Sequence, residues 1–451
     1  MADRRRKPCT PTRIKSVRAS GSASRHARLH RGPDLSSLSA TSDTALAVDE
    51  PGQPRRIRFA FVSAVIALVA AFAAVGSTVP LFNVYRAEDG FTNAGISVAV
   101  VVYSAATLTT LLVLGRLSNH LGRRPVSIAS LTLLLSGCVL LLNVHEIGTL
   151  VAGRLLLGVG AGLASSSLTS YIVDAAPARP AWLASVASSQ TVMFGLAVGA
   201  VSSGALIQLA PWPRQLAYLV VIGLLLTAVV LIAFSPETVA RRRGARRSMR
   251  PSIHVPVRVR HLIPVAAAVL LATWSIGAFY QAFVPALVEN QLHTASPLIL
   301  GLVFAAYMGP SAIAAPFGSR FTPATAQRVG MGAFLVGAAG IITAVATGTL
   351  LLFVVSTIVA GAAQGIAISA ATRGLLYGST VTDRAATFSV IYLISYSGAT
   401  IPAFIAGQLT NVFSLPQIVL GYGVFALLAT IYTLFGARNP HTVTETVSQS
   451  D

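Results

Sequence analysis

The stretch Gly115-Arg116-Leu117-Ser118-Asn119-His120-Leu121-Gly122-Arg123-Arg124-Pro125 separates two apolar runs, 93–114 and 126–143. Each run is about as long as a bilayer-spanning helix. The stretch therefore reads as a short turn at a membrane face. Gly115 and Gly122, seven apart, permit a tight helix exit and a close backbone approach. Arg123 and Arg124 are expected to hold the turn on the cytoplasmic side, where loop arginines accumulate.

Outward from this turn the chain keeps the same character. Of its 451 residues 54% are hydrophobic and 10% charged, which excludes an ordinary soluble domain and points to an integral membrane protein. The formal charge of +19 is distributed by topology. Of the 33 Lys and Arg, 13 precede Phe59 and eight more lie between Arg241 and Arg260, so no nucleic-acid partner is expected. Cys9 stands in a polar tail and Cys138 inside an apolar run, so neither suits a disulfide framework or a metal cluster. No metal and no cofactor is expected.

Residues 1–58 are rich in Arg, Ser, Ala and Pro, and read as a disordered basic cytoplasmic tail. The first apolar run starts near Phe59 and is too long for a signal-peptide core, so it reads as the first membrane helix. Twelve spans follow: 59–82, 93–114, 126–143, 147–173, 183–209, 216–234, 262–288, 298–317, 329–346, 350–377, 386–412 and 417–436. With both termini cytoplasmic, 29 Lys and Arg face the cytoplasm, Arg86 and Arg214 face the other side, and Arg154 and Arg373 lie within spans. The opposite orientation would translocate nearly all of them.

The central hydrophilic segment 236–261 divides an N-terminal bundle, 59–235, from a C-terminal bundle, 262–436, with a cytoplasmic tail at 437–451. Internal similarity supports the division. Val151-Ala152-Gly153 and Val359-Ala360-Gly361, Gly158 and Gly365, and Tyr171 and Tyr377 recur at spacings of 206 to 208. The turn beginning at Gly318 follows Gly115 by 203.

The 115–125 turn, with its two glycines and paired arginines between the second and third spans, resembles the signature loop of the major facilitator superfamily. That family usually has Asp where Asn119 stands and Arg or Lys where His120 stands. The resemblance covers residues 59–436. It implies an all-α membrane fold of twelve helices in two pseudo-symmetric six-helix bundles, with helices one, four, seven and ten lining the path. It also implies a latch formed by Gly115, Asn119, Gly122, Arg123 and Arg124 with Asp174 and Arg179 after the fourth span and Asp383 and Arg384 after the tenth. Pro236-Glu237-Thr238 resembles a short family motif that follows the sixth or twelfth helix and marks the register.

Arg154 is the sharpest single residue. It stands about 10 Å inside the fourth span, where a guanidinium facing lipid would be very costly, so it is expected to face the central cavity or a partner. Its context, Gly153-Arg154 with Gly158, is similar to one that the family links to proton or substrate handling. Trp274, Tyr280 and Gln281 on the seventh span, Gln364 on the tenth, and Tyr392 and Tyr396 on the eleventh are further wall candidates. The glycines and serines of the fourth and fifth spans read as helix-packing residues. The first span has no ionisable residue, unlike many proton-coupled drug exporters of this family, and no Gly-x-x-x-x-Gly-Lys loop for ATP occurs.

These features imply a monomeric secondary transporter, not an enzyme, that moves a small molecule across the plasma membrane by alternating access. Proton-coupled efflux of a drug-like compound or metabolite is the favoured reading. Uptake of a small organic anion or sugar is the transport alternative, and a non-transporting membrane sensor is the reading from another class.

Overall fold

Helix boundaries follow capping chemistry in the computed structural model, which describes residues 53–177, 182–241, 243–249, 257–379 and 381–440. Thr92 accepts from the N–H of Gly95, Ser296 from Ile299 and Thr322 from Thr325, each starting a long helix; the latter two are followed by proline, whose missing N–H costs nothing there. The helices are α1 (Gln53–Gly76), α2 (Thr78–Asp89), α3 (Asn93–Leu114), α4 (Ser118–Leu121), α5 (Arg123–Leu141), α6 (Ile147–Ala175), α7 (Trp182–Leu209) and α8 (Leu216–Phe234). A short α9 (Ala245–Ser248) precedes α10 (Ile263–Ala282), α11 (Val284–Gln291), α12 (Pro297–Ala314), α13 (Pro323–Thr347), α14 (Leu350–Leu376), α15 (Val381–Leu409) and α16 (Leu415–Gly436).

Among the described residues, twelve helical segments are long and apolar enough to cross a membrane. Large apolar side chains such as Phe234, Leu428 and Phe435 are exposed around the bundle, as a lipid-facing surface requires.

Several span ends move by a few residues, the ninth starting at Pro323 in place of 329 and the eleventh at Val381 in place of 386, and two spans are broken. The first does not end at residue 82 but continues through α2 to Asp89, after a break at Ser77 that precedes Pro80. Polar residues 83–89 read as loop by hydropathy, yet hydrogen bonds to other elements hold them helical. The seventh span breaks likewise, at Phe283 before Pro285. At the start of the chain the helix already begins at Gln53, inside the stretch assigned to the tail.

The two bundles repeat one packing scheme. The pairs α3–α6, α5–α6, α1–α7, α5–α8 and α1–α8 have the counterparts α12–α14, α13–α14, α10–α15, α13–α16 and α10–α16. Between the bundles, α7 packs on α12 and α3 on α15. Glycines set the closest approaches: a Cβ on Gly158 would stand 2.5 Å from the carbonyl oxygen of Tyr103, and one on Gly361 2.3 Å from that of Tyr307.

Candidate functional site

At the end carrying the 115–125 turn, here the signature end, Gly122 adopts φ +101°, and a Cβ there would meet Glu237 Oε2 at 2.5 Å. Glycine is thus required by the sign of φ, and a side chain there would also push Glu237 out of its place. Glu237 caps α5: its carboxylate accepts from the backbone N–H groups of Arg123 (2.7 Å) and Arg124 (3.1 Å). Arg123 Nε donates to Asp174 Oδ2 (2.8 Å), and its Nη1 donates to Ser118 Oγ (2.8 Å) and Asn119 Oδ1 (2.6 Å). Asn119 therefore fills the place of a carboxylate with a neutral amide. Gly115 ends α3 beside this network. All the named bonds stay within the first bundle and the segment that follows α8; none reaches the second bundle.

The second bundle builds the same cap from different residues. Asn439 Oδ1 accepts from the N–H of Ala324 at the start of α13 (3.1 Å), and Arg373 Nη2 donates to the carbonyl of Gly318 (2.5 Å). Arg179 lies outside the described residues. Asp383 and Arg384 stand in the first turn of α15, and their side chains are likewise outside the description.

Between the bundles lies a cavity of about 80 Å³, walled by Tyr103, Ser104, Met193, Trp274, Gln281, Met308, Gln364 and Tyr396 among others. A larger apolar recess of about 470 Å³ opens between α15 and α16, but polar groups of both bundles converge only on the central one among the described cavities. Trp274 packs on Tyr396 with ring centroids 4.8 Å apart, and its indole Nε1 is buried without a hydrogen-bond partner among the described residues.

Arg154 borders this cavity through two of its wall residues. It is 0% exposed, its Cζ lies 4.4 Å from the Tyr103 ring centroid, and its Nη2 donates across the bundle interface to Gln281 Oε1 (3.1 Å). Nε and Nη1 are buried without a hydrogen-bond partner among the described residues. A guanidinium in this state has its charge supported by one amide oxygen and the faces of Tyr103 and Phe82, and it retains strong unused donor capacity.

The remaining wall candidates divide. Trp274, Gln281, Gln364 and Tyr396 line the cavity. Tyr280 lies behind it, stacked on Tyr307 at 4.2 Å, with its hydroxyl 2.6 Å from Thr357 Oγ1. Tyr392 stacks on Phe388 at 6.0 Å and is absent from the wall. Tyr103, Met193 and Met308 are wall residues that the sequence did not single out. Only the proximity of Tyr103 to Arg154 across α3 and α6 marks it, and that requires the fold.

The far end is joined across the bundles. Asn83 Nδ2 donates to Pro285 O (2.9 Å) and Arg86 Nη2 to Ala282 O (3.2 Å), so α2 grips the carbonyls flanking the break between α10 and α11. Gln208 Oε1 accepts from Ser296 Oγ (2.5 Å) on the α7–α12 side. Arg214 pairs with Glu88 Oε2 (2.7 Å) and Asp89 Oδ2 (2.5 Å) and donates to Val144 O, tying the end of α2 to two loops of the first bundle. Burial opposes its charge, but the bonds to Asp89 and Glu88 prevail and hold its pKa above the ordinary arginine value.

The solved nucleoside transporter NupG, in a mutant form, superposes with a TM-score of 0.66 over 84% of this chain and 100% of that one, at 12% identity, a likeness of fold. Sugar transport protein 2 of Arabidopsis thaliana is 37% identical over 62 residues; the matched segment spans 14% of this chain and 12% of that relative. A family profile described as Major Facilitator Superfamily matches residues 64–291. With that match over half of its length and the twelve-helix fold, the chain belongs to the Major Facilitator Superfamily of secondary transporters.

Proposed function

We propose that this chain exports a small, partly apolar compound bearing a carboxylate or similar acceptor group, by proton-coupled alternating access across the plasma membrane. The observation that carries the reading is Arg154: a fully buried guanidinium with two nitrogens lacking a partner among the described residues, beside a cavity whose polar lining includes Trp274 Nε1, Ser104, Thr273 and the amides of Gln281 and Gln364. An incoming acceptor would satisfy donors whose isolation costs several kcal/mol. Tyr103, Trp274 and Tyr396 offer ring faces to its apolar part.

The arginine asymmetry supports placing the signature end and both termini in the cytoplasm, and one chain encloses the whole cavity, so a monomer suffices. All 14 Asp and Glu and all eight His lie in tails, loops or near helix ends, so proton coupling falls on the acidic group of the substrate and its pairing with Arg154. The transport-defining test is purified protein in liposomes under an imposed pH gradient, with organic acids offered on either side. Export-type exchange that requires Arg154 is expected. Equal flux in empty liposomes, or no flux of any acid, would overturn the reading.

Uptake of a small organic anion or a sugar is the second reading, favoured by the 62-residue similarity to a sugar transport protein. Net accumulation from the outer side, driven by the gradient, would establish it in place of export.

A further inference from the structure

A cavity of about 620 Å³ opens at the signature end between the starts of α1 and α5 and the end of α8. Arg55, Arg56 and Arg124 line it, with Phe59, Phe234 and the turn into Pro236. None of the three arginines forms a salt bridge among the described residues, and the lining contains no acid. Glu237, which follows Pro236, is committed elsewhere: its two oxygens accept from the backbone N–H groups of Arg123, Arg124, Thr238 and Val239.

The lining is layered along the helix axes. Phe59 follows Arg55 by one turn, about 6 Å further into the apolar body, and Phe234 is the last residue of its span. Both rings are open, at 41% and 79% exposure. Concentrated positive charge thus sits outermost and exposed aromatic surface lies just inside it, the arrangement that a phosphate followed by acyl chains would match. Guanidinium forks bind phosphate oxygens in pairs, and a soluble anion would leave the rings uncovered.

We propose that this cavity binds the headgroup phosphate of an anionic phospholipid from the leaflet that meets the signature end, with Arg55, Arg56 and Arg124 as its ligands. The bound lipid would bridge α1 and α5 beside the Glu237 cap and brace the signature turn. This rests on membrane embedding alone and is independent of substrate or direction.

The test uses the full chain, with retained lipid counted by native mass spectrometry and melting temperature recorded on adding phosphatidylglycerol, phosphatidylcholine or inorganic phosphate. Wild type should retain phosphatidylglycerol in preference to phosphatidylcholine and be stabilised by it. At about 1 kcal/mol per arginine near an anionic lipid, Arg55→Gln/Arg56→Gln/Arg124→Gln should weaken retention by about a hundredfold. Arg55→Gln/Arg56→Gln, which leaves the turn intact, should weaken it by about thirtyfold. Arg241→Gln/Arg243→Gln/Arg246→Gln removes the same charge from an exposed segment and should retain lipid as wild type does. Unchanged retention in the first triple variant, equal loss in the second, or equal stabilisation by inorganic phosphate would each overturn the proposal.

Discussion

In the fold Arg154 and Thr357 occupy matching places in the two bundles, 203 residues apart, as do Gly158 and Gly361, which moves the repeat by one helical turn from the 206–208 spacing read from the sequence. In both bundles a glycine one turn further lets the helix press on the backbone of a tyrosine, Tyr103 or Tyr307. The polar groups are disposed differently. In the second bundle Tyr280 stacks on Tyr307, Thr357 bonds the Tyr280 hydroxyl, and Tyr307 donates to Gln364 Oε1 at 2.7 Å, so these groups satisfy one another. In the first bundle Arg154 has ring faces beside it but one hydrogen-bond partner among the described residues, and that partner, Gln281, belongs to the other bundle. Repetition of a packing scheme fixes where backbones lie. Chemistry resides where the repeat is broken by a charge that its own bundle leaves unsatisfied.

The contrast predicts opposite responses to mutation. Arg154→Met should reduce transport about 10- to 150-fold, the worth of a charge-assisted bond of ~1.5–3 kcal/mol, measured as initial rate in liposomes at matched protein. Its melting temperature should hold or rise, because replacing a poorly paired buried charge by an apolar side chain removes a desolvation cost. Tyr307→Phe should do the reverse. Loss of the donor to Gln364 should lower stability by ~1–3 kcal/mol, read by thermal denaturation, with transport per folded molecule within about twofold of wild type.

Smaller effects are expected at the two ends. Arg86→Ala removes one cross-bundle bond at the far end, so accessibility of a cavity cysteine from that side should rise about fivefold, corresponding to ~1 kcal/mol. Asn119→Asp converts the 2.6 Å bond from Arg123 into an ion pair within the first bundle. It should add ~0.3–1 kcal/mol of stability at the signature end, read as a rise in melting temperature. A fall in melting temperature would show that the amide is the better partner.

Span number was legible because apolar runs of bilayer length permit few alternatives, and Arg154 was legible because charge at that depth demands a reason. Helical phase was not. A membrane helix is apolar towards both lipid and neighbours, so no periodicity separated Tyr396, which lines the cavity, from Tyr392, or Trp274 from Tyr280 behind it. Residues 83–89 and Glu237 escaped for a different reason: their roles lie in partners more than 100 residues away, such as Pro285 for Asn83 and Arg123 for Glu237.

The central claim is that Arg154 keeps its unused donors for a ligand acceptor. The most direct measurement is a thermal-shift panel of aromatic and aliphatic carboxylic acids, each paired with its uncharged methyl ester, on wild type and Arg154→Met. At least one acid should raise the melting temperature of wild type, its ester should do so much less, and the variant should respond to neither. Equal stabilisation of wild type and variant by the acid would contradict the claim and remove Arg154 from the site.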